Sequence, residues 1–233
     1  MRNIFKISGL VLIIFLTYSC KKANNDKANA SDIKDGNGNV YTSIIVGTQT
    51  WLEKDLKATK FNDGSDIQLV TDGEAWASLS TPGYCWYNND VDTYKDIYGV
   101  IYNGYSVNPA INGGKNVCPT GWHVPKDTEW TTLAAYLGGE SVAGGKLKET
   151  GTIHWLSPNT GATNEIGFTA LPGGFRHSDG TFKNIRNNSY LWSTTECAIN
   201  NAWFKYMTYN SSSVSGYCDG YVRHGFYVRC LKN

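Results

Sequence analysis

Cysteines, histidines and a dense set of aromatic and amide side chains are the residues of this 233-residue chain that could do chemistry. Two loop groups stand out. Trp86, Tyr87, Asn88, Asn89 and Asp90 form one, with Asp92 close by, and Trp155, Asn159, Asn164 and Glu165 form the other. Sugars are held by aromatic faces against their C–H surfaces and by planar amides or carboxylates against their hydroxyls, so these residues are the candidate ligand contacts. No cofactor is expected, though the same oxygens could hold calcium. Asn88 to Asp90 also suits a turn whose side chains bond their own backbone. Trp122, Trp130, Trp192 and Trp203 sit in helix or strand phrases and read as core.

The four histidines, His123, His154, His177 and His224, are scattered and read as single satisfied or surface residues, with no metal assigned. No Gly-x-Ser-x-Gly, His-Glu-x-x-His, Cys-x-x-Cys or P-loop phrase occurs, and no catalytic residue is assigned. Of the six cysteines, Cys20 stands apart from Cys85, Cys118, Cys197, Cys218 and Cys230. Five is an odd number, so at least one thiol stays outside any intrachain pairing.

Arg2 and Lys6, an apolar run from Ile7 to Leu16, and then Thr17 and Ser19 before Cys20 have the layout of an export signal over residues 1–19. The run is too short to span a bilayer. A signal ending at a cysteine resembles that of bacterial lipoproteins, in which the thiol, here Cys20, is acylated and the chain stays attached to the membrane without crossing it. Residues 20–36 hold little that can be buried and read as a flexible tether, leaving residues 37–233 as one domain. Removing residues 1–19 takes Arg2 and Lys6 from the 21 cations and leaves 19 against 20 acidic groups, a formal charge of −1. With no basic stripe, nucleic acid is not an expected partner.

Eight Trp, 15 Tyr and 25 Gly with two Met describe short strands, turns and aromatic packing. The clearest helix is Asp127 to Leu137, with Trp130, Leu133, Ala134 and Leu137 on one stripe and Gly138-Gly139 ending it. A second, weaker helix fits Gly73 to Leu79, and none of comparable quality follows Gly138. Strands are expected within Val40–Trp51, Gly167–Ala170, Tyr190–Thr194, Ala202–Tyr209 and Gly225–Leu231.

Several ordered phrases carry a resemblance: Cys118-Pro-Thr-Gly-Trp-His-Val-Pro125, Glu129-Trp130, Ala143-Gly-Gly-Lys-Leu-Lys-Glu149, His154-Trp155, Gly167-Phe-Thr-Ala-Leu-Pro-Gly-Gly174, Leu191-Trp-Ser-Thr-Thr-Glu196 and Gly225-Phe-Tyr-Val-Arg-Cys230. Together they resemble the Fibrobacter succinogenes major paralogous domain family of exported bacterial lipoproteins. Val124-Pro125 followed by Glu129-Trp130, and the ending Gly225-Phe226 with Arg229, are more distantly similar to formylglycine-generating (sulfatase-modifying) enzymes. The resemblance implies an α+β, C-type-lectin-like fold: a twisted antiparallel β core with one or two helices and long irregular loops. On that fold Cys118 and Cys230 are the natural disulfide, stabilising by about 4–5 kcal/mol on the chain-entropy view. Cys197 and Cys218 bracket a candidate hairpin, Ala202–Gly216, and are the second pair, which leaves Cys85 over. Arg176 and Arg229 are expected to bridge to Glu129 or Glu196.

The expected role is binding of a glycan or of an envelope or surface protein, at the bacterial outer membrane. A structural or adhesin subunit is the rival, and a copper-dependent oxidase of the formylglycine-generating kind is the second. The oxidase needs two free thiols, and only Cys218 matches that position, because Ala202-Trp-Phe-Lys205 replaces the expected phrase.

Overall fold

A computed structural model of the chain describes residues 33–233, so the export signal and Cys20 lie outside the described residues. In chain order the elements are β1 (Ser43–Val46), β2 (Gln49–Leu52), β3 (Gln68–Leu69), α1 (Gly73–Ser78), β4 (Gly83–Cys85), a 3-10 turn (Tyr87–Asn89), α2 (Val91–Tyr98), β5 (Ile101–Asn103), α3 (Gly104–Val107), β6 (Trp122–His123), α4 (Asp127–Tyr136) and α5 (Glu140–Leu147). There follow β7 (Gly173–Arg176), β8 (Phe182–Ile185), β9 (Asn188–Ala198), β10 (Asn201–Thr208), β11 (Val214–Tyr221), β12 (Gly225–Phe226) and β13 (Leu231–Lys232). The class is α+β, with long irregular connections.

Three sheets form, in the orders β1-β2-β13-β6, β3-β4-β5-β12-β7-β8 and β11-β10-β9. In the first, the closing strand sits between elements from the beginning and the middle of the chain, with Leu231 opposite both Trp51 and His123. Cys118–Cys230 fastens the same junction, and Cys197–Cys218 ties β9 to β11, the outer strands of the third sheet. Cys85 is free and fully buried, and burial pushes its thiol up to about 12. The second and third sheets meet where Trp192 N–H donates to the Tyr227 carbonyl and Tyr227 N–H donates to the Tyr190 carbonyl.

Indoles organise the interior. Trp51 and Trp130 pack at 4.6 Å between ring centroids, with Phe168 at 5.9 and 6.1 Å from them. Trp122, Trp130 and Trp192 are core as expected, whereas Trp203 is half-buried. Both expected arginine bridges differ. Arg229 pairs with Asp55 at 2.8 Å, lies over Phe168 and donates to the carbonyls of Leu52, Glu53 and Phe168. Burial pushes the Asp55 carboxyl up, and Arg229 opposes that shift. Among the described residues Arg176 meets no carboxylate. It stacks on Trp76 and Phe182 and donates to the carbonyls of Val70, Thr71, Asp72 and Gly180. Glu129 instead bonds His123, and Glu196 accepts from Asn108.

The helix count exceeds the expected one or two. In α2, Asp90 caps the N-terminus by accepting from Thr93 N–H, as Ser, Thr, Asp and Asn caps do. The segment after Gly138 holds α5, whose Gly144 and Gly145 look like turn residues but serve close packing. A Cβ at Gly144 would sit 2.0 Å from the Ser213 carbonyl oxygen, and one at Gly145 would sit 2.3 Å from that of Gly161. The expected strand at Gly167–Ala170 reduces to a single bridge between Ala170 and Lys148. Lys148 is fully buried there, its ammonium donating to the carbonyls of Thr160, Thr208 and Ser211.

Candidate functional site

Strand alternation builds the most concentrated aromatic surface of the described residues. Successive side chains point to opposite faces, so Tyr190 and Trp192 of β9, Phe204 and Tyr206 of β10, and Tyr217 and Asp219 of β11 share one face. The register places Tyr206 opposite Tyr190, and Phe204 opposite both Trp192 and Tyr217. Leu191, Met207 and Val214 take the other face and join the core beneath α5.

Against the aromatic face come Phe226 of β12, Phe175 of β7, and two histidines from the neighbouring turns. Phe226 stacks on Tyr190 at 5.4 Å with 13° between planes and touches Phe204 at 4.8 Å and Trp192 at 4.5 Å. His224 lies 5.0 Å from His177 and 5.9 Å from Phe175. A hollow of about 200 Å³ opens between Phe175, Tyr190, Phe204, Phe226, the two histidines and Asp219. Tyr206 and Tyr217, the latter 49% exposed, continue the aromatic surface with centroids 5.4 Å apart.

Polar groups punctuate this hollow. The Tyr190 hydroxyl accepts from the amides of Asn184 and Asn188, each at 2.8 Å, which fixes the ring. His177 pairs with Asp179 at 3.1 Å. Burial, followed by the charges of His177 and Lys183, lowers His224 to about 4, so it is neutral near neutral pH. Its Nδ1 is buried and has no partner among the described residues. Asp219 is exposed at the edge of the hollow. Phe204 and Phe226 are buried, so the outward groups are Tyr190, His177, His224 and Asp219, which can meet C–H surfaces and exchange hydrogen bonds with hydroxyls.

The loop residues expected to touch ligand do not line this hollow. Trp155 is fully buried, its indole N–H donating to the Ala170 carbonyl. Asn159 is buried too, donating to the carbonyls of Glu149 and Gly151, and Asn164 bonds both the backbone and the hydroxyl of Thr169. Glu165 is exposed and pairs with Lys146 at 3.1 Å. In the other group, Tyr87 is buried between Tyr94 and Phe182, and Trp86 is half-buried against Tyr84. Asn88 and Asn89 have positive φ, the Asn89 amide donates to the Thr71 carbonyl, and Asp90 caps α2. Asp90 bonds its own turn, the alternative for Asn88 to Asp90, and Asn159 and Asn164 bond their own loop, whereas Asn89 reaches across to Thr71. The residues missed were Tyr190, Phe204, Tyr206 and Tyr217, whose signal was aromatic alternation along two recognised strands and an unrecognised third.

Fold and site together define an α+β domain, closed by two disulfides, with a solvent-facing aromatic hollow. The family model described as Fibrobacter succinogenes major domain matches residues 44–232, and the chain belongs to that family. No curated protein matches the chain. No solved structure matches it either.

The position matching the oxidase's copper thiol, Cys218, is closed in its disulfide with Cys197. Among the described residues no helix is long and apolar enough to cross a membrane, and no group of three or more His, Cys, Asp or Glu is arranged to hold a metal ion.

Proposed function

We propose that this is a cell-envelope binding domain, attached to the outer membrane by lipid on Cys20, that recognises glycan through the aromatic hollow of β9, β10 and β11. The observation that carries the reading is the rim of half-buried Tyr190, His177 and His224 with exposed Asp219, set over the buried rings of Phe204 and Phe226 around one 200 Å³ hollow. Two disulfides suit an oxidising compartment outside the cytoplasm. Export and acylation draw their support from the residues preceding Cys20.

The test is a glycan array probed with residues 20–233, followed by calorimetry on any hit. Asp219→Ala and Tyr217→Ala remove exposed groups and should leave the melting temperature within about 2 °C, consistent with surface substitutions of less than about 0.5 kcal/mol. Each should weaken the hit by about tenfold, the equivalent of one lost 1.4 kcal/mol contact. Unchanged affinity in both variants, or an array without hits, would refute recognition at the hollow.

A further inference from the structure

A second concavity lies elsewhere, between the segment leading into β1 and the helix α2. One part, of about 410 Å³, is lined by Asn39, Thr42, Lys54, Lys57, Lys95 and Asp96, among others. A second part, of about 220 Å³, shares Lys54 and Asp96 with the first and ends on Glu149, His154, Asp55 and Arg229. We infer that this cleft is a separate binding site for a carboxylated sugar residue, the carboxylate held by Lys54 and Lys95 and the hydroxyls by the Glu149–His154 end.

Charge accounting selects the anion. Within the cleft, Lys57 pairs with Asp96 at 3.0 Å, Arg229 with Asp55 at 2.8 Å and His154 with Glu149 at 2.9 Å. Lys54 and Lys95 line the first part and make no ion pair among the described residues. With His154 neutral, the lining therefore carries four cations, Lys54, Lys57, Lys95 and Arg229, against the three carboxylates of Asp55, Asp96 and Glu149, and the excess sits at Lys54 and Lys95. A carboxylate placed between them gains two charge-assisted hydrogen bonds.

The remaining lining selects the rest of the ligand. His154 turns Nδ1 to Glu149, so its Nε2, which makes no hydrogen bond among the described residues, is an acceptor while the ring is neutral. Glu149 and Asp96 offer further acceptors, the lysines donors, and the exposed Val40 (57%) and Ile97 (41%) give apolar contact on the same walls. Donors, acceptors and apolar surface together suit a polyhydroxylated ring with C–H faces better than a bare anion. The size of the first part falls within the range of about 300–1,000 Å³ common for ligand clefts. None of these residues belongs to the aromatic hollow, so this inference stands or falls independently of it.

The experiment is calorimetric titration of residues 20–233 with a trimer of galacturonic acid at low and high salt, beside the neutral galactose trimer and an oligoglutamate of equal charge. Lys54→Ala/Lys95→Ala should lower affinity for the acidic trimer by about tenfold or more, since about 1.4 kcal/mol is lost per decade. High salt should weaken binding in the parent and much less in the double variant. Ser141→Ala, an exposed position that lines neither concavity, should leave acidic-trimer affinity unchanged. The assignment is overturned if the acidic trimer fails to bind, if the double variant binds it as the parent does, if the neutral trimer binds equally well, or if oligoglutamate matches it, which would make the cleft a peptide site.

Discussion

At the level of single side chains, the residues that look chemically active have gone mostly to holding the backbone. Arg229 shows why its partner was illegible: Asp55 lies 174 positions away, and nothing in either neighbourhood announces the pairing. Asn159 and Asn164 likewise resemble ligand contacts by type, because a side chain suited to bond a sugar hydroxyl is equally suited to bond its own loop: Asn159 donates to the carbonyls of Glu149 and Gly151, and Asn164 accepts from Thr169 N–H and donates to its hydroxyl. His224 gives a test at this scale. Its folded value, about 4, lies below the ordinary 6.5, so the unfolded chain binds a proton more readily between those values. Stability from this residue is therefore fully present above about pH 6.5 and is lost as pH falls towards 4, by an amount on the order of 2–3 kcal/mol. Urea midpoints across that window should fall for the parent and fall measurably less for His224→Gln. Parallel curves for the two proteins would mean that the imidazole is solvated and free to protonate.

Secondary structure was legible where one physical signal acted alone. The stripe of Trp130, Leu133 and Ala134 predicts a helix over Asp127–Leu137, and α4 covers Asp127–Tyr136. The same holds for β9 and β10, long strands rich in aromatic and β-branched residues. Where two signals conflict, reading fails. Glycine disfavours helix, yet α5 carries two, because its backbone must lie against the carbonyls of Ser213 and Gly161. Strands of two or three residues, such as β3 and β12, are too short to carry a period at all. Magnitudes decide what Gly144→Ala would do. Alanine gains about 1 kcal/mol of helix propensity over glycine. Its methyl, 2.0 Å from the Ser213 carbonyl oxygen, meets rigid backbone instead of a yielding side chain, and such overpacking costs about 1–3 kcal/mol or more. The cost outweighs the gain because the methyl meets rigid backbone, so we expect a net loss of up to about 2 kcal/mol and a melting temperature lower by several degrees. Ser141→Ala on the exposed part of the same helix should be nearly neutral, and a stabilised Gly144→Ala would show that α5 can move away from β11.

The molecule as a whole is closed at its ends: β13 lies between β2 and β6, and Cys118–Cys230 fixes that junction across 112 positions. The domain also begins earlier than polarity suggests. Residues 20–36 read as tether because lysines, asparagines and aspartates fill them, but Ile33 and Asp35 are buried. The Asp35 carboxylate accepts from Asn37 N–H, Asn39 N–H, the Asn39 amide and the Tyr41 hydroxyl. Lys34 meanwhile bridges to Val40. A buried aspartate with four donors is invisible to a composition argument, because what decides its place is the hydrogen bonding it satisfies rather than its polarity. Tyr41 depends on it in turn: burial and the bond to Asp35 raise the phenol well above its usual range, while its oxygen accepts from Lys57 N–H. A chain starting at Asn37 therefore loses the apolar burial of Ile33, about 2 kcal/mol, and leaves buried donors around Tyr41 without their acceptor, about 1–3 kcal/mol more. Part of that loss is recovered by water reaching the opened site, so the chain starting at Asn37 should be less stable than one starting at Ile33 by about 2–4 kcal/mol. Denaturant midpoints of the two chains measure the difference. Equal midpoints would restore residues 33–36 to the tether, whereas the expected loss brings Ile33 and Asp35 into the folded unit, next to the cleft that Asn39 and Thr42 help to line.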